Sequence, residues 1–101
     1  LALLHQFKYN GVRISSARTS WGLCNQANHL SFTWRLIMAP RAIIEYVVIH
    51  ELVHTVVKNH SRQFWAIVEG KIPDYRQRRF WLRKNGALLD LTIDADEAFL
   101  Q

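Results

Sequence analysis

The segment from residue 41 to residue 59 constrains the fold more than any other part of the chain, because it contains neither Gly nor Pro. Pro40 precedes it, and proline suits the start of a helix, where a first-turn N–H has no internal partner. The segment therefore predicts one long helix over residues 41–59. Its apolar residues recur on one side of that helix. They are Tyr46, Ile49, Leu52, Val53, Val56 and Val57.

Two histidines on this helix, His50 and His54, are one helical turn apart. At about 100° per residue their side chains lie only about 40° apart, so both imidazoles point the same way. Two imidazoles in this arrangement can bind one zinc ion and leave room for a third ligand and a water. Glu51 lies beside His50 and is the residue expected to take a proton from that water. This H-E-x-x-H pattern is typical of zinc proteases.

The third ligand is open between two residues. His60 lies just after the predicted helix, and a short reversal would bring its ring back over the metal, since Asn59 tolerates left-handed geometry and Ser61 is a suitable N-cap. Glu69, one helix further on, would instead supply a carboxylate. The competing explanation for the whole pattern is a chance occurrence on a helix surface, which we expect in about 1 % of such sequences.

Several further segments occur around this motif in a fixed order. They are WGLC at 21–24, LSFTWRLI at 30–37, AP at 39–40, YVVIHELVH at 46–54 and NHSRQFW at 59–65. In order and spacing these segments resemble the YgjP-like metallopeptidase family, which is related to the SprT-like and WLM zinc proteases. The resemblance runs from about residue 18 to residue 86. Two residues depart from the family pattern: Leu23, where the family commonly has Ser, and Val53. Because neither is a proposed metal ligand, these departures concern the fit of the substrate rather than metal binding.

The resemblance implies a small zincin fold with one Zn²⁺ per chain. It also implies that His50, His54 and His60 are the metal ligands and that Glu51 is the catalytic residue. Together with the residue patterns, it predicts an α+β fold: a small zincin-like domain whose antiparallel or mixed sheet packs on a central metal-binding helix with two shorter helices. One domain over residues 1–101 is the simplest organisation for a chain of this length.

The sheet is expected to come from the first forty residues. Asn10-Gly11 is a turn signal, and Val12 and Ile14 alternate after it. Residues 22–28 form a second turn-rich stretch. Residues 30–37 alternate between apolar and other side chains, which predicts a strand with one buried face. This strand, or the residues just before it, is the expected edge along which a peptide substrate binds, and an internal strand without substrate contact is the alternative.

The part of the chain after the metal motif predicts two helices. The first covers residues 61–69 and ends at Gly70. The second begins near Pro73 and Tyr75 and ends at Asn85-Gly86. The aromatic residues of both helices are expected to pack in the core, and those of the first are expected to fix His60.

Charge is unevenly distributed along the chain. Residues 58–84 contain eight basic and two acidic residues, a net charge of +6, whereas residues 87–101 contain four acids and no base. A basic helix with Phe80 and Trp81 could contact nucleic acid phosphates, although a solvated helix face is the more common meaning of such a run. The acidic tail could pair with this helix, form a terminal strand through Leu88, Leu89, Leu91 and Ile93, or stay loose.

Cysteine content and hydropathy indicate the cellular compartment, and Cys24 and His29 are two minor candidates for a catalytic role. The single cysteine, Cys24, cannot form an internal disulfide, so the cytoplasm is the expected compartment, and a small buried hydrophobe is favoured over a nucleophile. His29 is expected to be a solvent-facing loop histidine, with an oxyanion contact as the alternative. No apolar run approaches the roughly 20 residues needed to cross a bilayer. Because the chain starts at Leu1, a missing N-terminal segment is an open alternative.

The sequence as a whole predicts a zinc-dependent metallopeptidase that hydrolyses peptide bonds of a peptide or protein substrate. Three alternatives are kept: a basic nucleic-acid-binding module with a structural zinc, a protease acting on DNA-bound proteins through residues 58–84, and a non-catalytic interaction domain. A fourth protein ligand that closes the metal site would favour a structural role, because catalytic zinc keeps an open position.

Overall fold

The computed structural model of the protein describes residues 7–16 and 20–89. Three β-strands come first in this part of the chain and three α-helices follow. The strands are β1 (Gly11–Ser15), β2 (Gly22–Cys24) and β3 (His29–Thr33), and a short 3-10 helix covers Trp34–Met38. The helices are α1 (Arg41–Val53), α2 (Arg62–Lys71) and α3 (Tyr75–Leu89). The predicted α+β class is confirmed.

The described sheet is mixed, with β3 between β1 and β2. β1 runs parallel to β3, and β2 runs antiparallel to it. The prediction that the strand of residues 30–37 is an exposed edge is therefore wrong, because both sides of β3 are hydrogen-bonded to a neighbour. β2 lies just before this segment, within the stretch that we expected to be turn, and it is an outer strand of the described sheet.

β3 is shorter than the alternating pattern predicts. Leu30 and Phe32 are buried as expected, but the strand ends at Thr33. The side-chain oxygen of Thr33 accepts a hydrogen bond from the backbone N–H of Arg35 (3.3 Å) and so caps the 3-10 helix that follows. Leu36 is then buried from this helix and Trp34 is half exposed. The period-two pattern over residues 34–37 was thus a wrong indication of a strand.

α1 is the centre of the core. Most of its residues from Ile43 to Val53 are buried, and they contact the sheet on one side and α2 and α3 on the other. The helix begins directly after Pro40, as predicted. The buried apolar residues that surround it are Trp21, Leu30, Phe32, Leu36, Ala39, Val57, Phe64, Val68, Ile72, Tyr75 and Leu82.

α1 ends at Val53, six residues before the predicted end. The backbone N–H groups of Thr55 and Val56 bond to carbonyls three residues back, at 3.0 and 2.9 Å, which tightens the chain into a turn. The Thr55 hydroxyl also donates to the Leu52 carbonyl oxygen (2.6 Å). Such side-chain bonds compete with the regular helical pattern, and this competition explains the early end.

The two later helices differ in length from the prediction. α2 spans Arg62–Lys71, close to the predicted 61–69, but Gly70 lies inside it rather than beyond its end. α3 continues through Gly86 to Leu89 and has 15 residues, more than the 13 of α1. Only α2 is therefore shorter than the central helix. Glycine weakens a helix by only about 1 kcal/mol, so one glycine does not stop it.

The acidic tail and the first residues of the chain lie mostly outside the described part. Leu88 and Leu89 belong to α3, which contradicts a terminal strand at these two positions. The predicted alternatives for residues 90–101 concern residues that the structure does not describe. In the described ranges, no helix is both long enough and apolar enough to span a bilayer.

Candidate metal centre

His50 lies in the last turn of α1, and His54 is the C-cap residue directly after it, still with helical backbone angles, so the two side chains project from the same side. Their ring centroids are 5.0 Å apart. His50 is fully buried and His54 is 5 % exposed. Imidazole rings on an ordinary solvated helix face would be open to water, so the chance explanation of the motif does not account for this pair.

His60 joins these two rings through the reversal between α1 and α2. Its ring centroid lies 5.3 Å from that of His50 and 4.7 Å from that of His54. Ser61 caps α2 as predicted, since its Oγ accepts a hydrogen bond from the Phe64 N–H (3.4 Å). Asn59 takes part through its side chain, whose Oδ1 accepts from the Ser61 N–H (3.1 Å). The left-handed geometry expected at Asn59 is not found there.

The three histidines form a group of possible ligand atoms. One ring nitrogen from each residue lies within 4.8 Å of those of the other two. The Nε2 atoms of His54 and His60 are 3.2 Å apart. Two ligands of a tetrahedral zinc ion at about 2.0–2.1 Å lie roughly 3.3 Å from each other, so this separation fits a shared ion.

The other nitrogen of His54 is held by the backbone. Its Nδ1 lies 2.8 Å from the carbonyl oxygen of Val57, which can only accept a hydrogen bond. Nδ1 therefore carries the proton, and the lone pair of the neutral ring is on Nε2, the atom that faces His60. Metal-binding histidines in proteins are usually fixed by a bond of this kind.

Aromatic side chains of α2 and α3 support the three rings. Phe64 stacks on His54 with centroids 4.4 Å apart and meets His60 edge to face at 5.0 Å. Trp65 stacks on His60 at 6.0 Å and is itself stacked on Tyr75 at 5.2 Å. The aromatic residues of α2 thus contact His60, as the sequence predicted, and restrict its ring to a small range of positions.

Glu51 is fully buried beside this group. One carboxylate oxygen lies 3.4 Å from Nδ1 of His50. The neighbouring strand β2 comes very close at Gly22, where an added Cβ would lie 3.2 Å from Cγ of Glu51. Because a buried carboxylate needs a cation or hydrogen-bond donors nearby, three imidazole nitrogens and this carboxylate together fit a divalent metal ion.

Comparison with known families agrees with this geometry. The family model of the YgjP-like metallopeptidase domain matches residues 1–85 of the chain. The chain belongs to the YgjP-like family. No curated protein and no solved structure matches it. The resemblance seen in the sequence is confirmed, and the family description together with the three-histidine group indicates a metal-dependent peptidase.

The other residues considered for a role in the site, Glu69, His29 and Cys24, lie outside the three-histidine group of this YgjP-like domain. Glu69 is exposed on α2, and within the described ranges the possible ligand group consists of the three histidines without it. His29 is exposed at the start of β3, as expected for a solvent-facing histidine. Cys24 is half-buried and packs against the core, with the Lys58 ammonium 3.8 Å from its sulfur.

Two features near the candidate metal centre were not predicted. The carbonyl oxygen of Val57 orients His54, and no side-chain pattern indicates a role for a backbone atom. Gly22 allows β2 to approach Glu51, with Val47 and Phe32 also within 3.1 Å of an added Cβ. A glycine inside a strand is a known signal of such close approach, so this second feature could have been inferred once β2 was recognised as a strand.

Proposed function

We propose that this YgjP-like domain is a zinc-dependent peptidase in which His50, His54 and His60 bind one zinc ion and Glu51 acts as general base. The observation that carries the proposal is the grouping of three ring nitrogens within 4.8 Å of one another beside a fully buried carboxylate. Three protein ligands are the number found in catalytic zinc sites, whereas structural sites usually have four.

The choice of zinc rests on the donor set. Neutral imidazole nitrogens suit zinc and other late first-row metals, whereas magnesium and calcium prefer oxygen ligands. When bound in such a site, zinc polarises a carbonyl group and lowers the pKa of water towards about 7. Among the metals that imidazole suits, zinc is the one with no redox chemistry and a common role in hydrolysis.

Each residue of the site has a separate role in this proposal. Glu51 takes the proton of the attacking water and later delivers it to the leaving amine. Its burial beside His50 keeps bulk water away from the carboxylate. His54 offers Nε2 as a ligand because Val57 holds its Nδ1 proton. Phe64 and Trp65 keep the rings in place and exclude solvent from one side of the group.

We further propose that β2 is the strand along which an extended peptide substrate binds. β2 is an outer strand of the described sheet and contacts α1. Gly22 brings the backbone of this strand next to Glu51. A peptide paired with β2 by backbone hydrogen bonds would lie near this carboxylate, and an outer strand has the unpaired backbone groups that such pairing needs.

The decisive experiment compares wild type with Glu51→Gln for zinc content and for cleavage of a fluorescently labelled unfolded protein. We expect both proteins to contain one zinc ion per chain, because glutamine leaves the three imidazoles unchanged. We expect the variant to lose at least about 100-fold in rate, since general base catalysis typically contributes that much or more. Equal rates for the two proteins would refute the role of Glu51, and a wild type without zinc would refute the metal site.

Nucleic acid binding is a second candidate function, alone or as a means to reach DNA-bound proteins. Arg76, Phe80, Arg83 and Lys84 share one exposed face of α3, and Phe80 is 60 % exposed. Such a face can bind phosphates and contact a base. We expect binding of single-stranded DNA, measured by fluorescence anisotropy, to weaken steeply between about 50 and 200 mM salt. Glu51→Gln should bind this DNA as wild type does. If the wild type binds no DNA even in low salt, this candidate function is excluded.

We also propose that the protein is located in the cytoplasm. It is supported by the single cysteine, which makes the fold independent of an oxidising compartment. Immunofluorescence or cell fractionation of the tagged full-length protein would test it.

A further inference from the structure

The turn between α1 and α2 carries two of the three histidines, but its backbone bonds to α1 extend only as far as Val57. The N–H of Val57 donates to the carbonyl oxygen of Val53 (2.9 Å). The next anchor along the chain is the side chain of Lys58. Its ammonium group donates to the backbone carbonyl oxygen of Asn25 (2.9 Å) and to the side-chain oxygen of Asn28.

Asn28 makes a second hydrogen bond to the turn between α1 and α2, in addition to the one with Lys58. Its side-chain nitrogen lies 3.4 Å from the carbonyl oxygen of Thr55, to which it donates. One amide group therefore accepts a hydrogen bond from Lys58 and donates one to Thr55. These two positions lie on either side of Val57, the residue whose carbonyl oxygen fixes His54.

Asn25 and Asn28 belong to the turn between β2 and β3, and hydrogen bonds within this turn hold its conformation. The side-chain oxygen of Asn25 accepts from the backbone N–H groups of Ala27 (2.9 Å) and His29 (3.0 Å). Asn28 has a φ of 62°, and it is the one non-glycine residue with positive φ in the described ranges. A backbone conformation of this kind costs free energy and is often retained at functional sites.

We propose that Lys58 and Asn28 are positioning residues of the metal centre. Their hydrogen bonds hold the turn of residues 55–58 against the β2–β3 turn, so that the Val57 carbonyl keeps the proton of His54 on Nδ1 and His60 returns to the other two histidines. The inference rests on the proposed function, because it assigns these two residues to the site that would bind zinc. It adds a link between that site and β2, the proposed substrate strand.

The test uses two variants that remove the contact from opposite sides. Lys58→Met keeps most of the aliphatic side chain and removes the ammonium group. Asn28→Gly removes the amide and keeps the left-handed backbone, because glycine adopts positive φ without strain. Lys58→Arg restores a cationic donor, and Lys8→Met removes an exposed lysine outside both proposed binding sites as the matched control.

The first measurement is the dissociation constant of Zn²⁺, determined by competition with a chromophoric chelator. We expect it to rise about 10-fold in Lys58→Met and in Asn28→Gly, the size of effect typical for groups that orient metal ligands. The double variant should bind Zn²⁺ more tightly than the product of the two single effects predicts, because both changes remove the same bond between Lys58 and Asn28. Lys58→Arg and Lys8→Met should bind Zn²⁺ like wild type. Dissociation constants within 2-fold of wild type in both single variants would overturn the inference.

The second measurement does not depend on metal. In the metal-free protein at about pH 8, where imidazole is neutral, ¹⁵N NMR of the ring nitrogens reports which one carries the proton. We expect His54 to be protonated on Nδ1 in wild type and to become a mixture of tautomers in Lys58→Met and Asn28→Gly. Unchanged tautomers in both variants would contradict the inference. If the wild type binds no zinc, the proposed function fails and this measurement still decides the role of the two residues.

Discussion

The Nδ1 atom of His54 donates a hydrogen bond to the carbonyl oxygen of Val57, 2.8 Å away. The two residues are three positions apart, so this bond forms only because α1 ends at Val53 and the chain tightens after it. The early end of the helix is therefore part of the site. It sets the tautomer of His54 and starts the reversal that brings His60 to the other two rings.

Replacement of His54 by alanine should abolish tight zinc binding. Two imidazoles would remain, and zinc sites in proteins normally need at least three protein ligands. We expect the variant to be isolated without metal and to show no peptidase activity, as judged by elemental analysis and by cleavage of an unfolded protein. His29→Ala is the matched control, because His29 is an exposed histidine outside the group. Normal zinc content in His54→Ala would contradict the ligand assignment.

The relative positions of His50 and His54 could be predicted from the sequence because residues four apart lie on the same side of a helix, and His54 keeps helical backbone angles although α1 ends before it. The sequence indicated that the chain could bring His60 back to the other two histidines, but it did not determine the position of the His60 ring. This position depends on hydrogen bonds of the Thr55 hydroxyl and the Asn59 amide, which are single side-chain contacts without any periodicity. Periodic patterns therefore predicted the first two histidines better than the third.

Replacement of Gly22 by alanine should disturb both stability and Glu51. An added Cβ would lie 3.1 Å from side-chain carbons of Phe32 and Val47 and 3.2 Å from Cγ of Glu51, all in the packed core. Overpacking of this kind typically costs about 1–3 kcal/mol in the free energy of unfolding. We expect a loss of that size in urea denaturation and a lower peptidase rate in the folded variant.

Gly70→Ala is the matched control for this substitution. Gly70 is inside α2, and apart from its chain neighbours and the backbone of its own helix, no atom of the described residues lies within 4 Å of an added Cβ. Because alanine is a better helix former than glycine, we expect the free energy of unfolding to rise by up to about 1 kcal/mol with no change in activity. Equal effects of the two substitutions would show that β2 does not approach Glu51 as closely as described.

Phe64→Ala should weaken both the candidate metal centre and the core. Phe64 is fully buried and contacts the rings of His50, His54 and His60. Removing a buried phenylalanine side chain typically costs about 3–5 kcal/mol in the free energy of unfolding. We expect a loss in this range and weaker zinc binding. Phe80→Ala should change stability by less than about 0.5 kcal/mol, because Phe80 is 60 % exposed. Similar losses in both variants would contradict the central position of Phe64.

The sheet was predicted less completely than the helices, for a physical reason. Alternating Leu30 and Phe32 show that one face of a strand is buried, but the pattern carries no information about which strands lie on either side. Position in the sheet depends on contacts between distant residues. The end of the strand depends on one capping bond from Thr33, so the pattern over the next residues indicated a strand where a 3-10 helix forms.

Zinc should stabilise the folded protein by an amount that rises with the logarithm of its free concentration. A ligand that binds only the native state raises the free energy of unfolding by about 2.7 kcal/mol when its free concentration is 100 times its dissociation constant. We therefore expect the chelator EDTA to lower the midpoint of thermal unfolding and added Zn²⁺ to restore it. Mg²⁺ at the same concentration should have no effect, because it requires oxygen ligands and the described group offers three imidazole nitrogens. The midpoint of thermal unfolding of His54→Ala should change with neither EDTA nor Zn²⁺. If the midpoint of the wild type also changes with neither, these histidines do not form a stabilising metal site.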